Sequence, residues 1–432
     1  MGATGFLKKL IAAGRGAVDR RTDELVSLSN ALLAESGEYA STALARDALA
    51  AYHALDERLR DEFFEVLARH YSPSPDAVSR AASAYQSAPT PENLIELQAV
   101  VEPARQELFH RLNMAPGGTA ALVEMRRQLL GKLKLHPEWR AVDADLMRVL
   151  RSWFNRGFLR LERIDWRTSA LVLEKLIDYE AVHAIRGWWD LRRRLKGDRR
   201  CYAFFHPQLP DEPIIFIEVA LTRGMSAHVQ PLLDKDAPVE DPANADCAMF
   251  YSITNCQEGL RGISFGNQLI KQVAEDLKRE FPHLRRFATL SPIPGFRRWL
   301  EGRQINGAEG PLLARLSDAA WHLGEVPEAL QKLLLRLCAH YLVEVKQGAE
   351  PLDPVARFHL GNGAALERLN WMGDASESGL GRSAGIMANY VYWLAEVERN
   401  HESYFREHEI VASPAIERLA RECPPLDASP KT

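Results

Sequence analysis

Two runs rich in β-branched and aromatic residues, "CAMFYSIT" from Cys247 and "RFATLS" from Arg286, flank a helical pattern, "FGNQLIKQVAEDLKREF". In that pattern Leu269, Ile270, Val273, Leu277 and Phe281 fall on one face, the spacing of an amphipathic helix. Strand, loop, helix and strand in this order make an α/β crossover, so this part of the chain must build a sheet layered with helices. Two further runs, "CYAFFHP" from Cys201 and "PIIFIEVALT" from Pro213, read as strands of the same sheet. After Ser291 the pattern returns mostly to helix, and "PPLDASPKT" reads as a frayed tail.

Nothing of this kind precedes the sheet. From Thr22 to about Phe154 the text is helical. "RDALAAYHALDERLRDEFFEVLARHY" carries Leu49, Tyr52, Leu59, Phe63, Phe64 and Leu67 on one stripe, and "SPSP" at Ser72–Pro75 stops it. "TPENLIELQAVVEPARQELFHRL" begins with Thr90 as N-cap and Pro91 at the first helical position. Two more helices follow, separated by "HPEW". With no fixed-period repeat, the expectation is a bundle. "NRG" at Asn155–Gly157 marks the change of texture. The predicted organisation is a helical domain over 1–154 and an α/β domain with additional helices over 155–432, an α+β, mainly α, fold class.

Composition narrows the partner. With 54 Lys plus Arg against 58 Asp plus Glu, a net charge of −4 gives no electrostatic reason to bind nucleic acid or an anionic membrane. Cys201, Cys247, Cys256, Cys338 and Cys423 form no CxxC pair, which suits a reducing, cytoplasmic-type environment and predicts no metal site. The start, "MGATGFLKKLIAAGRGAVDRR", reads as a first helix, with a mitochondrial presequence as the competing reading.

Five features carry candidate chemistry. The loop "QEGLRGISFGNQLI" from Gln257 brings unpaired amides to a helix N-terminus, where phosphate or pyrophosphate can bind; Gly262 and Gly266 allow close approach, and Arg261 adds charge. An ordinary turn capped by Ser264 fits the same residues. "GISFG" around Ser264 and "GRSAG" around Ser383 match G-x-S-x-G, but neither serine follows directly on a strand, so capping explains both. Ser291 in "LSPIPGFRRWL" lies against two prolines that fix its presentation, whether as a turn former or toward a ligand. His359 in "RFHLGNGAAL" is either a satisfied core residue or a shielded general acid or base. Tyr390 and Tyr392 in "MANYVYWL" cannot share one helix face, so at most one is expected to face a site.

In order, "FYSITNCQEGLRGISFGNQLIKQV", "REFPHL" with "LSPIPGF", and "FHLGNGAALERLNWMGD" with "MANYVYWL" resemble the catalytic half of malonyl-CoA decarboxylases over roughly Phe154 to Phe405. The resemblance implies a helical N-terminal domain that mediates self-association as a dimer or tetramer, and a C-terminal domain similar to GNAT-type acetyltransferases. It implies that the loop Arg261, Gly262, Ile263, Ser264, Phe265, Gly266 and Asn267 cradles the CoA pyrophosphate, with Ser264 standing where the acetyltransferase pattern usually has its first glycine. By motif, the family's catalytic serine falls on Ser291, its catalytic histidine on His359, and a tyrosine near the site on Tyr392.

The implied reaction takes malonyl-CoA to acetyl-CoA and CO2. Losing CO2 leaves an electron pair delocalised onto the thioester oxygen as an enolate, so the site needs hydrogen-bond donors and a proton for carbon, with no redox cofactor or metal. Ser291 then serves as donor rather than as a nucleophile, and no acyl-enzyme is expected. An acetyltransferase using the same CoA loop, or a non-catalytic acyl-CoA sensor, are the alternatives.

Overall fold

The computed structural model describes residues 20–263, 269–303, 309–318 and 320–425. The expected first helix before Arg20, the loop positions Ser264, Phe265, Gly266 and Asn267, and the tail beyond residue 425 lie outside the described residues. The chain divides into two compact units: Met1–Leu159 with His206–Pro210 and Gln257–Ser264, and Arg160–Phe205 with Asp211–Cys256 and Phe265–Thr432.

The first unit is helical. Among the described residues eight helices follow one another: α1 (Arg20–Ala34), α2 (Glu38–His53), α3 (Glu57–His70), α4 (Pro75–Ser87), α5 (Pro91–Val101), α6 (Ala104–Leu112), α7 (Gly118–Lys132) and α8 (Arg140–Trp153). The expected apolar stripe is buried, but it spans two helices rather than one. The carboxylate of Asp56 accepts the Leu59 amide at 3.0 Å, a cap that starts α3 and so breaks the run after His53. Thr90 caps α5 as expected, with Pro91 next. Pro103 then separates α5 from α6, because a proline biases the residue before it, Glu102, to extended backbone. Phe64, Leu67, Phe109, Leu122, Leu146 and Phe154 fill the core.

The second unit holds the sheet. Its strands are β1 (Arg160–Ile164), β2 (Arg199–His206), β3 (Leu209–Thr222), β4 (Cys247–Asn255), β5 (Arg286–Thr289), β6 (Ser291–Pro292), β9 (Ala365–Asn370) and β10 (Met387–Val391); β7 (Lys346–Gln347) and β8 (Glu350–Pro351) form a separate hairpin. The spatial order is β1-β2-β3-β4-β5-β10-β6, with β9 also on β10. β4 and β5 run parallel, joined through α9 (Leu269–Glu280), which buries Leu269, Ile270, Val273, Ala274 and Leu277. The predicted crossover is therefore present. β1, β9 and β10 are strands that the sequence reading did not separate from helix. Three more helices position the site: α10 (Phe296–Glu301), α11 (Glu328–Val343) and α12 (Pro354–Gly361). No helix among the described residues is long and apolar enough to cross a membrane.

Candidate active site

Ser291 opens the short strand β6 immediately beyond the end of β5. The Leu290 amide still reaches back to the Phe250 carbonyl at 2.9 Å, and Ser291 then pairs with Ala388 of β10. Because Pro292 follows, the serine is held in extended backbone with its side chain buried. Thr289 lies two residues earlier on the same face, as strand periodicity requires. The Ser291 hydroxyl donates to Thr289 Oγ1 at 2.8 Å, and that oxygen also accepts the Tyr390 amide at 3.2 Å.

His359 comes from α12. Asp353 caps that helix, accepting the Val355 and Ala356 amides at 3.0 Å each, and Pro354 occupies its first turn. One and a half turns on, the imidazole Nε2 lies 2.9 Å from Ser291 Oγ, and Nδ1 lies 2.9 Å from the Tyr392 hydroxyl. The ring also stacks on Tyr390, centroids 4.7 Å apart. With the Ser291 proton directed at Thr289, His359 completes the chain as the Nε2–H tautomer, and Tyr392 O–H donates to Nδ1.

Electrostatics follow from burial. His359 is pushed down to about 3 by desolvation alone, so the ring is neutral in the unliganded protein. Tyr392 and Tyr390 are pushed well up for the same reason, and stay protonated. The partner of Nδ1 is a phenol, not a carboxylate, so this is no Ser-His-Asp triad: among the described residues no carboxylate is bonded to the imidazole to stabilise the imidazolium that proton abstraction from serine would create. The Ser291 hydroxyl is held in a hydrogen-bond chain between Thr289 and His359.

The structure brings together Ser291, His359 and Tyr392, and adds Thr289, which sequence reasoning passed over, and Tyr390, which it weighed only against Tyr392. The expectation that only one of Tyr390 and Tyr392 faces a site rested on helix geometry and is corrected. Tyr390 lies in β10 and Tyr392 just beyond it, and at this i, i+2 spacing both reach the imidazole. His359 is buried with a hydroxyl partner on each ring nitrogen. Beneath the pair, Asn389 Nδ2 donates to the Thr289 carbonyl at 2.7 Å, while its Oδ1 accepts from Arg368 (3.0 Å) and Asn370 (2.9 Å). Ser383, the second G-x-S-x-G serine, is buried and donates to the carbonyls of Gly379 (3.2 Å) and Ile386 (2.7 Å), which settles it as structural.

Of the expected CoA loop, Arg261, Gly262 and Ile263 are described, in the helical unit. Arg126 donates to the Gly259 and Arg261 carbonyls at 2.8 Å each, Gly262 takes a left-handed φ of 82°, Ile263 is buried and Arg261 is exposed. Among the described residues, no three His, Cys, Asp or Glu side chains converge as metal ligands.

Sequence profiles place this geometry in a known group. The profile of the malonyl-CoA decarboxylase C-terminal domain matches residues 157–428, and that of the malonyl-CoA decarboxylase N-terminal domain matches residues 71–154. The chain belongs to the malonyl-CoA decarboxylase family. It is 39% identical over 352 residues to the mitochondrial malonyl-CoA decarboxylase of Rattus norvegicus, covering 74% of this chain and 72% of that one. The crystal structure of malonyl-CoA decarboxylase from Rhodopseudomonas palustris is similar at 47% identity and a TM-score of 0.88, over 92% of this chain and 99% of that chain. The malonyl-CoA decarboxylase of Agrobacterium vitis is similar at 44% identity and a TM-score of 0.85, with the same coverage. Ser291 and His359, the two positions on which the malonyl-CoA decarboxylase resemblance placed catalysis, are 68 residues apart in sequence and in direct hydrogen-bond contact.

Proposed function

We propose that this chain decarboxylates malonyl-CoA to acetyl-CoA and CO2. The observation that carries the reading is the buried Ser291–His359–Tyr392 hydrogen-bond chain in a member of this family. In the reaction the bond between the carboxylate and the α-carbon breaks, and its electron pair moves onto the α-carbon and the thioester oxygen. CO2 leaves, and a proton closes the α-carbon to a methyl group. The thioester is itself the electron sink, so the proposed route calls for no redox cofactor or metal. Ser291 holds the carboxylate out of the thioester plane or donates to the enolate oxygen.

His359 supplies the proton. A neutral imidazole buried against a phenol is a poor acid, but an arriving malonyl carboxylate is an anion beside it, and that opposes the desolvation holding the ring uncharged. One proton therefore enters with the substrate, is held on the imidazole, and passes to carbon after CO2 departs. The loop Arg261–Asn267 carries over as the CoA-phosphate loop.

The finer readings of setting belong here too. Copies of the chain associate through the helical unit, where α5 buries none of its eleven residues. The compartment is read as cytoplasmic from cysteine usage, although the curated relatives are named as mitochondrial.

The decisive experiment incubates the protein with malonyl-CoA alone and quantifies CO2 and acetyl-CoA. Equimolar products support the reading. Intact malonyl-CoA alongside measurable CoA binding sinks it.

A further inference from the structure

The elements that carry Ser291 and His359 meet at one buried carboxylate. Asp353 is fully buried, and its two oxygens divide their work. Oδ1 accepts the Val355 and Ala356 amides and so fixes the start of α12, six residues before His359. Oδ2 faces the other way. It accepts from the Tyr341 hydroxyl of α11 at 3.4 Å, and it lies 3.7 Å from where a Cβ on Gly295 would stand. The Gly295 backbone lies near enough to this carboxylate to favour its charged form.

Gly295 ends the turn that begins at Ser291, and the three residues between them include Pro292 and Pro294, each with φ fixed by its ring. That turn is a short stiff lever with the serine at one end and the carboxylate at the other. Gly295 is glycine because of close approach: a Cβ there would stand 2.2 Å from the Tyr341 hydroxyl. Without a side chain, the backbone of the serine turn comes down onto α11 and Asp353.

We infer that Asp353 is a positioning residue that sets the distance between Ser291 and His359, tying the serine turn through Oδ2 to the helix that it caps through Oδ1. It touches neither reacting atom. Its kinetic consequence rests on the decarboxylation reading above, whereas its geometric consequence does not. Misplacement of a catalytic group by about 1 Å can cost ~10²-fold in rate, so a slack joint here is felt in turnover.

Asp353→Asn separates the two jobs. The amide oxygen can still cap α12, but an NH2 group replaces Oδ2 and meets the Tyr341 hydroxyl donor to donor at the Gly295 contact. The expected result is a kcat lowered by roughly ten- to a hundredfold, KM for malonyl-CoA within about threefold, and a crystal structure in which the Ser291 Oγ to His359 Nε2 separation opens from 2.9 Å to beyond the hydrogen-bond limit of roughly 3.5 Å. A variant with wild-type kcat, or one that keeps the 2.9 Å contact, overturns the assignment. Should Asp353→Asn not fold, Asp353→Ser decides by the same readouts, because a serine caps the helix but is too short to reach Gly295. If the wild-type protein releases no CO2, the decarboxylation reading fails by itself, and the crystallographic distance still judges Asp353.

Discussion

Ser291→Ala takes away the hydroxyl that links Thr289 to His359, and His359→Asn takes away the imidazole proposed to carry the proton to carbon. Losing one preorganised donor typically costs ~10²- to 10³-fold in rate. Each variant should lose at least that much turnover while CoA affinity, measured by calorimetry, stays near wild type; unchanged turnover in either refutes its role. His359 also makes a stability prediction. Its folded value of about 3 lies below the ordinary 6.5, so the unfolded chain takes up a proton first, and stability falls as pH drops from about 6.5 toward 3. Each pH unit inside that window costs ~1.4 kcal/mol from this group. The fall in denaturant midpoint from pH 7 to pH 5 should therefore be larger in the wild type than in His359→Asn, and equal falls would show that the ring is not buried neutral. Sequence alone left His359 undecided between core and chemistry, since burial and a serine 68 residues away are properties of the fold.

The helices and strands were legible where local signals agreed with the tertiary outcome. Thr90 with Pro91 marked a true helix start, and the crossover from β4 through α9 to β5 could be read from two periodicities alone. β10 could not. All five residues of Met387–Val391 are buried, so the polar-apolar alternation that announces a half-exposed strand is missing. β9 contains Ala, Leu, Glu and Arg, which favour helix, and its pairing with β10 overrides them. Because both strands carry or support the site, the second tyrosine and the Asn389 network were lost with them. Asp56 is the opposite kind of miss, a legible cap left unread inside a continuous apolar stripe. Its carboxylate starts α3, so Asp56→Ala should cost ~1 kcal/mol, seen as a lower denaturant midpoint with activity unchanged at 25 °C. A midpoint equal to wild type would mean that the break after His53 is imposed by packing instead.

At the scale of the whole molecule, the helical unit leaves the apolar residues of α5 uncovered. In α5, "PENLIELQAVV", none of the eleven residues is buried, and Leu94, Ile95 and Val101 stand exposed, Ile95 at 65%. α4, its neighbour in the chain, buries only Ala81. A helix this apolar gains little from folding against its own chain alone, and its exposed aliphatic face stabilises the fold once a second copy covers it. Association at the α5 face therefore predicts that sedimentation velocity at micromolar concentration finds a species heavier than one 432-residue chain. Leu94→Glu combined with Ile95→Glu should shift it to the monomer, since burying two carboxylates at a self-complementary interface sets like charges against each other across the symmetry axis. Both positions are solvent-facing within one chain, so helix content should hold. A wild-type protein that sediments as a monomer, or a double variant that sediments unchanged, removes α5 as the contact.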